Sequence, residues 1–337
     1  MTVDELGEHA LLARVLARLP RPGSDVLVGP GDDAAVLEPA RNERLVVTTD
    51  AIVEGVHFQR SLSSPADIGH KALAVNLSDL AAMGATPRWA LLSLVLPNAT
   101  LVADVEDLVS GLAALAGQHG VSVAGGNITR TPGPLVVDVT AGGSAKPRRW
   151  LTRSGARPGD ELYVSGSIGA AAAGLEMLEQ ASGLRPQASD SDACIERHRR
   201  PQPRVRLGVA LARARVATAA MDLSDGLADA LRQMATASGV GVHVDADTLP
   251  VSEGAHAWWR ARAVDPVVAA LSGGDDYELL FSVPRSRGRA LRALMRRFTD
   301  VPLTRIGVVT KDPSERALVR GGTVDQLPEG FLHFAHR

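Results

Sequence analysis

Residues 75–84 of the chain read VNLSDLAAMG and carry a carboxylate within an otherwise apolar stretch. The pattern predicts a helix from about Asp67 to Met83, because a glycine and then a proline follow it. Asn76 and Asp79 are three residues apart and therefore share one face of this helix. Burying a carboxylate alone is costly, so Asp79 is expected to reach solvent, pair with a cation or shift its pKa.

Strand and helix patterns alternate on both sides of this helix and predict α/β or α+β layers in two domains. The stretch KPRRWLTRSGARPGD at 146–160 is typical of a domain junction. Before it we expect a buried strand at 44–50, a strand at 89–97, a helix at 101–119, a strand running into a glycine turn at 121–130 and a strand at 134–145. After it we expect strand–turn–helix patterns at 161–178 and 216–235, an exposed loop at 182–204 and a turn feeding a strand at 271–284.

The composition excludes several classes of protein. A net charge of −2 over 337 residues argues against a general nucleic-acid binder, and 3% aromatic residues leave few stacking platforms. The longest apolar runs, such as WALLSLVLP at 89–97, are about half the length of a membrane span. A single cysteine, Cys194, excludes an internal disulfide framework and a thiolate zinc cluster. These totals predict a cytoplasmic enzyme with no nucleic-acid or membrane partner.

Acidic residues recur beside glycines and at the ends of predicted elements. Each alone is most simply a cap or turn residue, but the set is harder to explain in that way. It comprises Asp32, Asp33, Asp50, Asp79, Asp222, Asp225, Asp275 and Asp276. If these carboxylates converge, each close pair repels by roughly 4 kcal/mol at an effective dielectric near 20, which divalent cations would offset. Oxygen-only ligands suit Mg²⁺, which commonly serves a phosphate substrate, and the sequence contains no P-loop motif.

Seven segments together resemble the thiamine-monophosphate kinase family, in the same order and with similar spacing. They are GPGDDAAVL, TTDAIVEGVHF, KALAVNLSDLAAMGATP, GGNITR, LTRSGARPGD, MDLSDGL and SGGDDYELLF. The resemblance extends from about Gly7 to the C-terminal GFLHFAH. It implies a two-domain PurM-like α/β (α+β) fold, with an ATP- and Mg²⁺-binding mixed-sheet domain at 1–148 that pairs in a homodimer and an α+β domain at 149–337.

The resemblance also implies an activity, which is direct transfer of the γ-phosphate of ATP to thiamine monophosphate with several Mg²⁺ ions. No general base is expected, because the accepting phosphate is already ionised at neutral pH. By matching motifs, the implied metal ligands are Asp33, Thr48, Thr49, Asp50, Asp79, Asp222 and Asp225. The implied ATP contacts are Gly126, Asn127, Arg153 and Ser224. The implied contacts to thiamine monophosphate are His57, Asp275 and Phe331.

Two positions depart from the family pattern, which has Asp at Asn127 and Glu at Asp275. An amide adds no charge, so Mg²⁺ affinity near Asn127 is expected to be weaker. Two other functions stay open, namely another enzyme of the same superfamily and a catalytically silent Mg–nucleotide-binding regulator. Lys71 either helps to neutralise the acidic set or is solvated, and the basic run at 196–208 is expected to be a structural loop.

Overall fold

The computed structural model describes residues 1–30, 34–180 and 189–330. It forms two compact units, each described by itself below. Unit 1 comprises Met1–Leu80 and Ala85–Arg148, and unit 2 comprises Ala81–Gly84 and Arg149–Arg337. The expected α/β architecture in two domains is confirmed.

Unit 1 is built on a mixed β-sheet. Its elements in chain order are α1 (Val3–Leu6), α2 (Glu8–Arg18), β1 (Val26–Val28), β2 (Val36–Leu37), β3 (Arg44–Val53), α3 (Pro65–Ala82), β4 (Thr86–Pro97), α4 (Val102–His119), β5 (Ser122–Thr131) and β6 (Val136–Ala145). The main sheet has the order β3–β6–β4–β5, in which β6 is antiparallel to β3 and β4 while β4 and β5 are parallel. Strands β1 and β2 form a separate antiparallel ribbon.

Helix α3 confirms the predicted helix. Leu73, Leu77 and Leu80 are fully buried, so the apolar positions hold the helix in the core of unit 1. Lys71 is also buried, with 3% of its surface exposed, so the solvated alternative for this lysine is wrong. Among the described helices, none combines the length and the hydropathy that a membrane span requires.

Two sequence expectations in unit 1 need correction. Strand β3 is not buried, because it lies at an edge of the sheet and exposes Leu45 by 63% and Val47 by 51%. The segment at 125–130 is not a turn, because it continues β5 alongside β4 as far as Thr131. The apolar residues of β3 therefore wrongly indicated a buried strand, and the glycines at 125 and 126 wrongly indicated a turn.

Unit 2 is built on a larger mixed sheet. Its elements are β7 (Glu161–Ser165), α5 (Ala170–Gln180), α6 (Ser189–Arg199), α7 (Val205–Ala214), β8 (Ala219–Asp222), α8 (Leu227–Ser238), β9 (Gly241–Asp245), α9 (Glu253–Arg260), α10 (Pro266–Ser272), β10 (Leu279–Val283), α11 (Gly288–Arg297), β11 (Leu303–Thr310), β12 (Arg316–Arg320) and β13 (Thr323–Gln326). The strand order is β13–β12–β9–β11–β7–β10–β8. Phe281, Ile306 and Trp259 are almost completely buried, as expected for a hydrophobic core.

The segment at 182–204 is not an exposed loop. Its described part, from residue 189, contains helix α6, and the basic run at 196–208 continues through Arg204 into α7. Cys194 and His198 on α6 are buried, with 1% and 4% of their surfaces exposed. The polar composition of α6 did not indicate a helix, because the contacts that stabilise it, such as the one between Arg197 and Glu278, join residues far apart in the sequence.

Candidate active site

Thr48 and Asp79 lie together on one face of the unit 1 sheet. The Thr48 hydroxyl on β3 donates a hydrogen bond to Oδ2 of Asp79 on α3. Side chains alternate between the two faces of a strand, so Asp50 is on the same face as Thr48. Asp79 is half-buried and therefore remains accessible from solvent. Asp79, near the C-terminal end of α3, thus directs its carboxylate at Thr48 in the middle of β3.

The Thr49 side chain lies on the opposite face of the same sheet. Its hydroxyl is 3.0 Å from Oγ1 of Thr140 and donates to Oδ1 of Asp138 at 3.3 Å. The two-residue period of a strand separates it from Thr48 and Asp50. Thr49 is therefore not brought together with the Thr48 and Asp79 side chains, although the motif suggested one set.

His57 lies in the turn that follows β3. Its Nδ1 accepts a hydrogen bond from the Val53 backbone N–H at 3.1 Å, so in the neutral ring the proton is on Nε2. The buried ammonium group of Lys71 donates to the His57 carbonyl oxygen at 3.1 Å. The turn is thus held from both sides, and the Nε2–H group is a donor suited to a phosphate oxygen.

Gly126 and Asn127 lie in β5, beside β4. Gly126 pairs with Leu92, and a Cβ atom at this position would be 1.9 Å from the Leu92 carbonyl oxygen. The close approach of the two backbones therefore requires glycine here whether or not ATP binds. Asn127 pairs with Ser93, is exposed, and lines a cavity of about 780 Å³ within unit 1.

In unit 2 the structure brings four of the implied site residues together. Asp222 ends β8 and is opposite Leu279 on β10, and Ser224 and Asp225 follow in a bend. The Asp275 backbone N–H donates to the Ser224 carbonyl oxygen at 2.7 Å. Residue 274 must be glycine, because a Cβ atom on Gly274 would be 2.5 Å from the Ser224 carbonyl oxygen.

Two neighbouring side chains lie beside the Asp275 carboxylate. The Tyr277 hydroxyl donates to its Oδ1 at 3.0 Å, and Nδ1 of His198 is 3.8 Å from its Oδ2. The side chain remains 32% exposed, so it is accessible to a ligand. Asp275 and Tyr277 both have positive φ angles, 67° and 50°, which is uncommon for residues other than glycine.

The adjacent acid, Asp276, has a different role from Asp275. It is 1% exposed, and its carboxylate accepts from the backbone N–H of Gly169 at 2.7 Å, next to the start of α5. Burial raises the pKa of Asp276 to about 7, against the lowering effects of the Gly169 hydrogen bond and of Arg197. Asp276 is therefore a structural residue, which its place in a pair of acids did not reveal.

Sequence reasoning also missed a buried ion-pair network around Glu278. This carboxylate is completely buried and accepts from Arg197 at 2.6 Å, from Nε of Arg204 at 2.6 Å and from the Ser165 hydroxyl at 2.6 Å. Desolvation lowers the pKa of Arg204, but the hydrogen bond to Glu278 and the negative charges of Glu278 and Asp300 together outweigh this effect, so the net shift is upward. The position of Glu278, three residues after Asp275, did not indicate that it is the buried partner of two arginines.

Arg153 lies on the surface of unit 2. Its guanidinium donates to Gln233 on α8 at 2.7 Å, and Gln233 donates to Asp229, one turn nearer the start of that helix. Gly330 also approaches this first turn, because a Cβ atom there would be 2.6 Å from Cβ of Asp229 and 3.0 Å from the carbonyl oxygen of Asp225. Arg153 therefore lies beside α8, and Gly330 lies beside the first turn of that helix and the backbone of Asp225.

Two of the implied site residues, Asp33 and Phe331, lie outside the described residues. Within 1–30, 34–180 and 189–330, no group of three His, Cys, Asp or Glu side chains is arranged to hold a metal ion by itself. The donors that are described nevertheless suit Mg²⁺ in their chemistry, since they are carboxylate and hydroxyl oxygens. Mg²⁺ is usually bound by one or two carboxylates, with waters and substrate phosphates completing the shell.

The two units match the two halves of one known class of protein. Residues 31–145 match the AIR synthase related protein, N-terminal domain, and residues 157–320 match the AIR synthase related protein, C-terminal domain. These matches cover most of the chain, so its fold defines it as a two-domain AIR synthase related protein.

Closer relatives within this class share one name. The chain is 41% identical over 333 residues to the thiamine-monophosphate kinase of Escherichia coli (strain K12), covering 98% of both. The crystal structure of thiamine-monophosphate kinase from Stenotrophomonas maltophilia K279a is 42% identical with a TM-score of 0.80, covering 94% of this chain and 96% of that one. A structure of AaThiL complexed with AMPPCP and TMP is 33% identical with a TM-score of 0.76, covering 99% of each. The chain belongs to the thiamine-monophosphate kinase family, which confirms the resemblance.

Proposed function

We propose that this chain transfers the γ-phosphate of ATP to thiamine monophosphate, giving thiamine diphosphate and ADP. The observation that carries the proposal is its nearly full-length relationship to thiamine-monophosphate kinases. The relative solved with AMPPCP and TMP covers 99% of this chain, so a comparable region exists here for both reactants. Because the co-substrate is ATP, we expect the reaction to occur in the cytoplasm.

The reaction asks the protein for position and charge neutralisation rather than for a base. An oxygen of the thiamine phosphate attacks the γ-phosphorus, a new P–O bond forms, and the bond to the β-phosphate oxygen breaks. The nucleophile is already ionised, so no proton has to be removed. We assign to the Nε2–H group of His57 a hydrogen bond to the thiamine phosphate, because the Val53 contact fixes this tautomer.

Oxygen donors in both units would hold Mg²⁺. In unit 1 these are Thr48, Asp50 and Asp79. The metal set implied by the family also includes Asp33, Asp222, Asp225 and Thr49, although the Thr49 side chain lies on the opposite face of the sheet. When bound, Mg²⁺ neutralises phosphate charge and orients the phosphates for transfer. The Thr48–Asp79 hydrogen bond supports this assignment, since it orients the Asp79 carboxylate toward the face that carries Asp50.

ATP would contact Gly126, Asn127, Arg153 and Ser224. Arg153 offers a planar fork of N–H donors, which matches phosphate oxygens, and its exposed position leaves it free to reorient. Asn127 brings no negative charge, so we expect an ion near it to bind less tightly. The Asn127→Asp variant should lower the Mg²⁺ concentration needed for half-maximal rate. An unchanged Mg²⁺ titration would refute this role.

We also propose that the protein is a homodimer that pairs through the N-terminal sheets. The support is the edge strand β3, where Leu45 and Val47 expose most of their surface although they are large and apolar. A second copy of the chain would bury this face. Light scattering after gel filtration should give twice the monomer mass for the wild type. The Val47→Asp variant should shift the mass toward the monomer, and an unshifted dimer would refute this interface.

An ADP-release assay tests the proposed activity against its alternatives. We expect release that requires both thiamine monophosphate and Mg²⁺. Turnover only with a different phosphorylated or carboxylated acceptor would show another enzyme of the superfamily. Nucleotide binding without any turnover would show a regulator, although the comparisons give neither alternative specific support.

A further inference from the structure

Asp275 has a backbone conformation that the surrounding structure must hold in place. Its φ of 67° and the φ of 50° at Tyr277 are left-handed, and such angles are strained in residues other than glycine. Backbone hydrogen bonds secure both residues, from Asp275 to the Ser224 carbonyl at 2.7 Å and from Tyr277 to the Leu223 carbonyl at 2.9 Å. The strain is therefore retained at a residue whose carboxylate is partly exposed and which the family resemblance assigns to substrate binding.

Both oxygens of that carboxylate have a neighbour that restricts their movement. The Tyr277 hydroxyl donates to Oδ1 at 3.0 Å, and the buried His198 ring has its Nδ1 3.8 Å from Oδ2. Tyr277 is 7% exposed and His198 4% exposed, so neither ring is free to change its rotamer without disturbing the packing. The carboxylate is thus oriented by groups that are themselves fixed.

The helix that carries His198 is attached to the same segment. Arg197, the preceding residue on α6, donates to Glu278 at 2.6 Å and to the Asp276 carbonyl oxygen at 3.1 Å. Arg204, at the entry to α7, donates to Glu278 as well. These contacts fix α6 against the chain at 276–278 and so fix the separation of His198 and Asp275.

We infer that Tyr277 and His198 are positioning residues, which hold the Asp275 carboxylate in the orientation that binds the cationic thiazolium or the amino group of thiamine monophosphate. This inference rests on the proposed function. Neither residue needs to touch the substrate, because each acts through Asp275. A carboxylate that is already held in one orientation loses less conformational freedom when it binds a ligand. Removal of the Tyr277 or His198 contact should therefore weaken the binding of thiamine monophosphate but not the binding of ATP.

Steady-state kinetics with both substrates test the inference. The Tyr277→Phe variant removes only the hydroxyl and should raise KM for thiamine monophosphate by about tenfold, the order expected for a hydrogen bond to a charged group. Its kcat and its KM for ATP should stay within about twofold of the wild type. The His198→Phe variant keeps a buried ring without nitrogen and should act in the same direction.

A matched control is available in the same unit. The Tyr163 hydroxyl donates to the Glu161 carboxylate at 3.0 Å, so Tyr163→Phe also removes one tyrosine–carboxylate hydrogen bond. This variant should leave KM for thiamine monophosphate unchanged. An equal rise in both tyrosine variants would show a general structural effect and would overturn the inference.

A double-mutant cycle separates positioning from direct binding. Asp275→Gly removes the carboxylate, and glycine adopts a positive φ without steric cost. In this background Tyr277→Phe should have no further effect on KM. Additive effects would overturn the inference. A raised KM in Asp275→Gly together with an unchanged KM in Tyr277→Phe and His198→Phe would also overturn it.

The same variants distinguish failure of the inference from failure of the proposed function. If Asp275→Gly binds thiamine monophosphate normally, Asp275 is not a substrate contact, and the inference fails while the proposed activity stands. A wild type that does not phosphorylate thiamine monophosphate would refute the proposed function and the inference together.

Discussion

Asp276 offers the clearest prediction of how stability changes with pH. It is a carboxylate at 1% exposure, and burial raises its pKa to about 7, while an unfolded chain has an aspartate pKa near 4. The folded protein therefore binds this proton more tightly than the unfolded chain does. The stabilising contribution is complete below about pH 4 and is lost as the pH rises through about 7.

The size of this loss follows from the difference between the two pKa values. Three units correspond to about 4 kcal/mol in full, of which about 2 kcal/mol falls between about pH 5.5 and about pH 8. Asp276→Asn keeps an oxygen that can accept from the Gly169 N–H group, but it cannot ionise. We therefore expect the wild type to lose about 2 kcal/mol relative to Asp276→Asn over this range.

Urea unfolding of both proteins at the two pH values measures this difference. Tryptophan fluorescence is a suitable signal, because Trp258 and Trp259 lie in the same unit as Asp276. The free energy of unfolding of Asp276→Asn should exceed that of the wild type by more at about pH 8 than at about pH 5.5. Parallel pH profiles, with a constant difference between the two proteins, would refute the reasoning.

Three further predictions concern the other structural findings. Glu278→Ala removes the buried carboxylate that pairs with the half-buried Arg197 and Arg204, so urea unfolding should show a loss of about 3–5 kcal/mol; a loss below about 1 kcal/mol would contradict the network. Gly126→Ala places a methyl group against the β4 backbone and should cost at least about 1–3 kcal/mol, measured in the same way, and a neutral change would contradict this packing. Asp79→Asn should keep the circular dichroism spectrum but weaken Mg²⁺-dependent nucleotide binding in calorimetry and remove most transfer activity; an unaltered titration and rate would show that Asp79 is only a solvated residue.

Local sequence patterns predicted most helices and strands, because the formation of these elements depends on the spacing of neighbouring residues. The apolar spacing around Asp79 predicted α3, and the structure bears this out. Helix α6 was missed because its polar residues carry little periodic signal, and a main contact, between Arg197 and Glu278, joins residues 81 positions apart. The strand at Gly126 was missed because the reason for the glycine is the backbone of another strand.

The sequence motifs proposed a set of residues for the candidate site, but they could not predict its geometry. Motif matching could not show that Thr49 lies on the opposite face from Thr48, because this depends on the register of β3 in the sheet. It also could not distinguish Asp275 from Asp276. Left-handed backbone at Asp275 breaks the alternation of side chains, so which acid turns inward becomes visible only in the structure.

Product stoichiometry tests the central claim most directly. Wild-type protein, ATP, Mg²⁺ and thiamine monophosphate should yield thiamine diphosphate and ADP in equal amounts, quantified together by liquid chromatography. Omission of thiamine monophosphate should abolish formation of both products. ADP that accumulates without thiamine diphosphate, or the absence of both products from the complete mixture, would contradict the assignment of this chain as a kinase that acts on thiamine monophosphate.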